Sequence, residues 1–173
     1  MDKRDYAIIG LLLVIIAMLS YNVINAYNDA QPEVFEFSDY IVTAPPGTHY
    51  HNDSGQRFFL SEKDVNEVFT VNSSFMKVEY FDELYNSLKN GSVSKSDAIK
   101  MMNEMEENDT FLDINIGDFR GEPEISMVVQ NPNNSSQKGM IHLIKHNNDK
   151  IFAVGGYVNN DTATQMYNSL LLK

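Results

Sequence analysis

The sequence contains no cysteine and no tryptophan, and proline accounts for only 5 of its 173 residues. Without cysteine there is no disulfide framework, no thiolate metal site and no cysteine nucleophile, so a folded core alone must supply stability. Basic residues are also scarce, 13 Lys and Arg against 24 Asp and Glu, and the net charge is −11. No Lys/Arg block interrupts that pattern. Such a surface repels phosphate backbones and anionic lipid heads, which argues against nucleic-acid binding. Internal repeats and low-complexity tracts are missing. So are G-x-S-x-G, G-x-G-x-x-G and Walker sequences, which leaves serine hydrolysis and nucleotide binding without support.

What is present begins with an apolar N-terminus. From Tyr6 to Asn28 no residue is charged. The run from Ala7 to Leu19, extended through Tyr21, Val23, Ile24 and Tyr27, reaches roughly the 20 residues that a bilayer core demands of a helix. Lys3 and Arg4 precede it, and the positive-inside rule holds that end in the cytoplasm. Residues 1–27 therefore read as a cytoplasmic tip and a transmembrane anchor, with the rest of the chain outside. A cleaved signal peptide is the competing reading, with an h-region at 7–19 and a cleavage site after Ile24-Asn25-Ala26. Seven N-x-S/T sequons follow, at Asn52, Asn72, Asn90, Asn108, Asn133, Asn134 and Asn160, each a surface glycosylation point in an exported chain.

Residues 28–33 form a polar linker, and 34–173 have the apolar content of one packed domain, with 43% hydrophobic residues and 10 Phe and 9 Tyr in the chain. Val34–Val42 reads as a strand in which Phe35 and Phe37 alternate with Glu36 and Ser38. Residues 43–56, with Pro45-Pro46-Gly47 and Asn52-Asp53-Ser54-Gly55, are expected to form the longest irregular stretch. Short strands follow at Arg57–Ser61 and Glu67–Asn72. Apolar residues from Phe75 to Leu88 then recur at helical spacing, with Ser73 or Ser74 as the start signal and Gly91 as the stop. A second helix starts after Ser94 or Ser96, with Ile99, Met102 and Met105 inward and an end that frays near Glu106. Period two returns with Leu112, Ile114 and Ile116, then Ile125, Met127 and Val129. Gly139–His146 and Ile151–Val158 flank a hairpin turn at Asn147-Asn148-Asp149-Lys150. Gly155-Gly156 signals a bulge or close packing, and Asp161 caps a terminal helix. Strands, two helices, a meander and a closing helix give an α+β fold, an antiparallel sheet with packed helices, preceded by one N-terminal transmembrane helix.

That layout resembles the PsbP/Mog1-like α+β family, including small exported PsbP-like proteins of archaea. The comparison rests on the Phe35-Glu36-Phe37 strand leading to Pro45-Pro46-Gly47, and on the closing Phe152-Ala153-Val154-Gly155-Gly156 strand followed by the Asp161 helix. It covers residues 33–173. The resemblance implies a non-catalytic module that assists assemblies or binds partners, and it transfers no site residue.

The most chemical-looking segment is His49-Tyr50-His51-Asn52-Asp53. Two imidazoles two apart with a nearby carboxylate suit a first-row metal, so His49, His51 and Asp53 are candidate ligands of a divalent ion. His142 and His146, on one face of a strand, are candidates to complete such a site. Asp113-x-Asn115-x-Gly117-Asp118 ending at Glu124 has a calcium-loop outline, but its Gly and Asp stand in the reverse of the required order, and a strand explains it better. The acids from Glu104 to Asp109 read as a solvated helix end, and Met101, Met102 and Met105 as a core stripe or an adaptable binding face. The expected function is a membrane-anchored extracytoplasmic module that binds an envelope protein without catalysis or a resident cofactor. Pro45, Pro46 and Tyr50 are its candidate contact residues. The alternative is a metal-assisted cell-envelope hydrolase using His49 and His51.

Overall fold

The computed structural model describes residues 16–22, 30–53, 56–61, 64–105, 110–130, 136–158 and 160–173. Residues 16–22 are helical and expose Ile16, Met18, Leu19 and Tyr21. Among the described residues no helix is long and apolar enough to cross a membrane. Most of the expected 1–27 anchor lies outside the described residues, as do 106–109, where the second helix is expected to fray.

The domain begins with the hairpin β1 (Glu33–Glu36) and β2 (Tyr40–Ala44), followed by β3 (Thr48–Asp53), β4 (Gln56–Ser61) and β5 (Asp64–Ser73). Helices α1 (Val78–Asn90) and α2 (Lys95–Met105) come next. A meander of β6 (Thr110–Phe119), β7 (Glu122–Gln130), β8 (Lys138–His146) and β9 (Lys150–Tyr157) leads to α3 (Asp161–Ser169) and β10 (Leu171–Leu172). The strands form a seven-stranded sheet in the order β3-β4-β5-β9-β8-β7-β6 and a three-stranded sheet in the order β1-β2-β10. Their pairings are antiparallel throughout. The α+β class expected from the sequence is the one observed.

Alternation along the strands gives the large sheet two apolar faces. Phe81 of α1 and Ala98 of α2 cover Ile114, Ile125, Leu143 and Ile151 on one of them. On the other, Met166 of α3, Leu170 and the small sheet's Tyr40 and Val42 cover Phe59, Phe69, Ile144, Phe152 and Val154. The three-residue β8–β9 loop holds Asn147 at φ 50 and Asn148 at φ 62, both left-handed, inside the turn closed by the Asp149 N–H donating to the His146 carbonyl at 3.2 Å. Gly91 ends α1 in the left-handed conformation at φ 74, as the sequence indicates.

Several local expectations need correction. Val34–Val42 is two strands, because Ser38 and Asp39 are turn residues and Phe37 donates its N–H to the Tyr40 carbonyl at 2.8 Å. Residues 43–56 are mostly ordered strand: Gly47, at φ 74, closes the Pro-Pro-Gly turn, and β3 pairs with β4 from Thr48↔Ser61 to Asp53↔Gln56. Leu112 points outward because a register shift between Phe111 and Asp113 gives Phe111 the inward place. Helix α1 starts at Val78 after Lys77 rather than at Ser73 or Ser74; Ser74 still closes β5, donating its N–H to Ile151. Helix α3 is capped by Asn160, whose side chain accepts from Ala163 N, rather than by Asp161. Gly155-Gly156 marks close packing, since β9 shows no register shift against β5 or β8 there and a Cβ on Gly155 would lie 2.8 Å from Thr70 Cγ2.

Candidate functional site

The chemistry-bearing side chains gather on the face of the large sheet under α3 and the small sheet. Glu124 on β7 and His142 on β8 are neighbours across adjacent strands, and Tyr167 reaches them from α3. The Glu124 Oε1 atom accepts from His142 Nδ1 at 2.5 Å and from the Tyr167 hydroxyl at 2.7 Å. The imidazole stacks on the Tyr167 ring with centroids 4.1 Å apart. Glu124 is only 8% exposed, and a buried carboxylate survives when its oxygens are hydrogen-bonded. Burial pushes its carboxyl up, but the bonds from His142 and Tyr167 and the imidazole's charge outweigh that and hold it below the usual carboxylate range. Tyr167 is shifted strongly upward by burial and by the Glu124 carboxylate it bonds. Gly117 on β6 stands opposite Glu124, and a Cβ there would come within 3.3 Å of its Oε2. With Nδ1 committed to Glu124, His142 has Nε2 left for a further hydrogen bond.

A second construction lies where β1 and β2 meet β4. Arg57 donates to Asp39 Oδ1 at 2.6 Å and lies over the rings of Phe37, at 4.8 Å, and Tyr40, at 5.6 Å. Burial raises the Asp39 carboxyl, but hydrogen bonds from Ser73 and Arg57 and the guanidinium charge hold it below its ordinary value. Burial pushes the Tyr40 hydroxyl up to about 12. Around this pair Phe35, Phe37, Tyr50 and Phe59 form a continuous aromatic cluster with centroids 5.2 to 6.5 Å apart.

The sequence-derived candidates fall as follows. Pro46 is exposed at the turn between the two sheets, with Pro45 half-buried beside it. Tyr50 packs into the aromatic cluster, so its ring is partly withdrawn from any partner. His49, His51 and Asp53 share the exposed face of edge strand β3, where His51 stacks on Phe58. Alternate residues of a strand stand roughly 7 Å apart. Among the described residues no three His, Asp or Glu side chains are placed to hold a metal ion. His142 and His146 lie on β8 in the large sheet and turn to carboxylates of their own, Glu124 and, at 3.3 Å, Glu122. Sequence reasoning missed the Glu124–His142–Tyr167 cluster as a unit. Its members are 18 and 43 residues from Glu124, and only the strand order brings them together.

No protein-family model matches the chain, and no curated protein matches it by sequence. Solved structures do. The solution structure of cyanobacterial PsbP (CyanoP) from Synechocystis sp. PCC 6803 superposes with a TM-score of 0.55 at 11% identity, over 83% of this chain and 94% of that one. The protein has a PsbP-like fold, as its strand and helix layout suggests.

Proposed function

We propose that the protein is a membrane-tethered accessory or assembly module that works by binding on the outer side of the cell membrane. The observation that carries this reading is the PsbP-like fold over 83% of the chain. The uncharged segment from Tyr6 to Asn28 supplies the tether, with Lys3 and Arg4 keeping the N-terminus inside. The outward-facing Ile16, Met18, Leu19 and Tyr21 of the helical residues 16–22 suit contact with lipid. The partner surface is the corner between the two sheets, where Pro46 and Val34 stand exposed beside the rigid aromatic cluster. A proline at a turn is already fixed in conformation, so docking against it costs little ordering entropy. The partner is an envelope protein.

The test is crosslinking of the full-length protein in its native membrane, followed by mild-detergent purification. Deleting 43–56 would remove β3 with the turn, so the comparison uses Pro46→Asp. A stoichiometric partner retained by the native chain and lost from Pro46→Asp supports the reading. Recovery of the native protein alone, or a partner held equally by the variant, overturns it.

A further inference from the structure

We infer that the cavity between α3 and strands β5, β8 and β9 is a binding site for a small ring-bearing molecule carrying a hydroxyl group. The cavity has a volume of about 170 Å³, and Phe69, Met140, Val154 and Ala163 are among its walls. Its origin is legible in the chain. Gly156 pairs with Phe69 on β5 and Met140 on β8, and alternation places it on the same face as Val154 and Phe152. Where those neighbours project side chains toward α3, position 156 projects none. The space is close to the roughly 150 Å³ that accommodates a benzene-sized ring in an apolar cavity.

The polar element is His142, which lines the same cavity. Its Nδ1 is held by Glu124, and Tyr167 covers one face of the ring. Among the described residues Nε2 has no hydrogen-bond partner. With Nδ1 taken, Nε2 is the ring atom left to meet a polar group of an occupant. A hydroxyl on the occupant suits it in either protonation state, donating to the neutral ring or accepting from the imidazolium. Thr164, exposed on α3, stands at the rim and keeps its hydroxyl bonded to the Asn160 carbonyl at 3.0 Å. An apolar ring with one hydroxyl satisfies both the walls and Nε2. This site is independent of the partner surface at Pro46.

The probe is phenol, added to the full-length protein in lipid nanodiscs with ¹³C-labelled histidine rings, with benzene as the comparator. Phenol is expected to shift the His142 signals saturably, with a dissociation constant on the order of 1 mM for so few atoms. Benzene should bind at least about tenfold more weakly, lacking the hydroxyl. His142→Ala would strand Glu124 and could fail to fold, so the decisive variant is Gly156→Leu, which fills the space. The residue 156 backbone is not in the left-handed region, so a side chain there brings no backbone strain. Loss of the phenol shift in Gly156→Leu, with an unchanged far-UV spectrum, supports the site. The inference is overturned by no saturable shift at His142, by equal affinities for phenol and benzene, or by a phenol response that survives Gly156→Leu.

Discussion

On the face covered by α1 and α2, apolar side chains such as Phe81, Ala98, Ile125 and Leu143 meet each other, and the Lys145–Asp82 ion pair of 2.7 Å sits at the margin, with Asp82 41% exposed. On the face under α3 and the small sheet, the charged groups are drawn inward: Glu124 is 8% exposed and Asp39 9%. The first face is closed by area alone, a non-directional force proportional to the surface removed from water. The second is closed by area together with directional bonds that fix α3 and the small sheet in one arrangement. Specific recognition needs fixed polar groups beside apolar space. The second face supplies them, and the cavity with His142 and the corner at Pro46 both lie there.

The comparison can be broken most forcefully at its two apolar centres. Phe81→Ala on the helix face and Phe152→Ala on the other should each cost about 3 to 5 kcal/mol in denaturant unfolding, because both rings are fully buried. Single cooperative transitions of similar loss would show that the sheet unites both faces; a biphasic curve for either variant would divide them. The next contrast is electrostatic. Glu124→Ala leaves His142 and Tyr167 without their acceptor and should cost about 2 to 4 kcal/mol. Asp82→Ala, at the screened margin, should cost about 1 kcal/mol or less. Equal losses would erase the distinction between the faces.

Acid provides the same contrast without mutation. Glu124 and Asp39 have folded pKa values below their ordinary values of 4.5 and 3.8. A carboxylate depressed in the folded state binds fewer protons there than in the unfolded chain. Its stabilisation is therefore complete above those ordinary values and is lost as the pH falls through the folded pKa. Thermal midpoints should fall on acidification below that range, and less steeply in Glu124→Gln. The last contrast concerns packing between strands: Gly155→Ala places a methyl against Thr70 Cγ2 and should cost about 1 to 3 kcal/mol. Thr70→Ser removes that methyl group and should recover much of the loss in the double variant.

Much of this architecture is legible from periodicity. The Val78–Leu88 spacing, the Gly91 stop and the Asn147-Asn148 turn each have a local cause and survive into the structure, whereas Phe75, expected on the inward face, lies before α1 and is 54% exposed. The break at Ser38-Asp39 was equally local, but the alternation of Phe35 and Phe37 masked it. Residues 43–56 gave little strand signal because β3 has Tyr50 as its one large inward ring, while His49 and His51 face out. The bulge at Phe111 depends on α2 and the β7 partner, so Leu112 looked inward from sequence alone. The candidate sites show the same divide. Pro46 announces its turn by composition, whereas Glu124, His142 and Tyr167 share no spacing that one sequence can reveal.

The central claim is that a folded domain is held outside the cell membrane by the N-terminal segment. The chain has no cysteine, so Lys100→Cys on α2, a side chain 75% exposed, gives a unique reporter. Intact cells expressing this variant are treated with a membrane-impermeant maleimide and then fractionated. The account predicts labelling without lysis and recovery of the labelled chain at full length with the membranes. Labelling only after lysis would contradict it, and labelled protein released from the membrane in a shortened form would remove the tether.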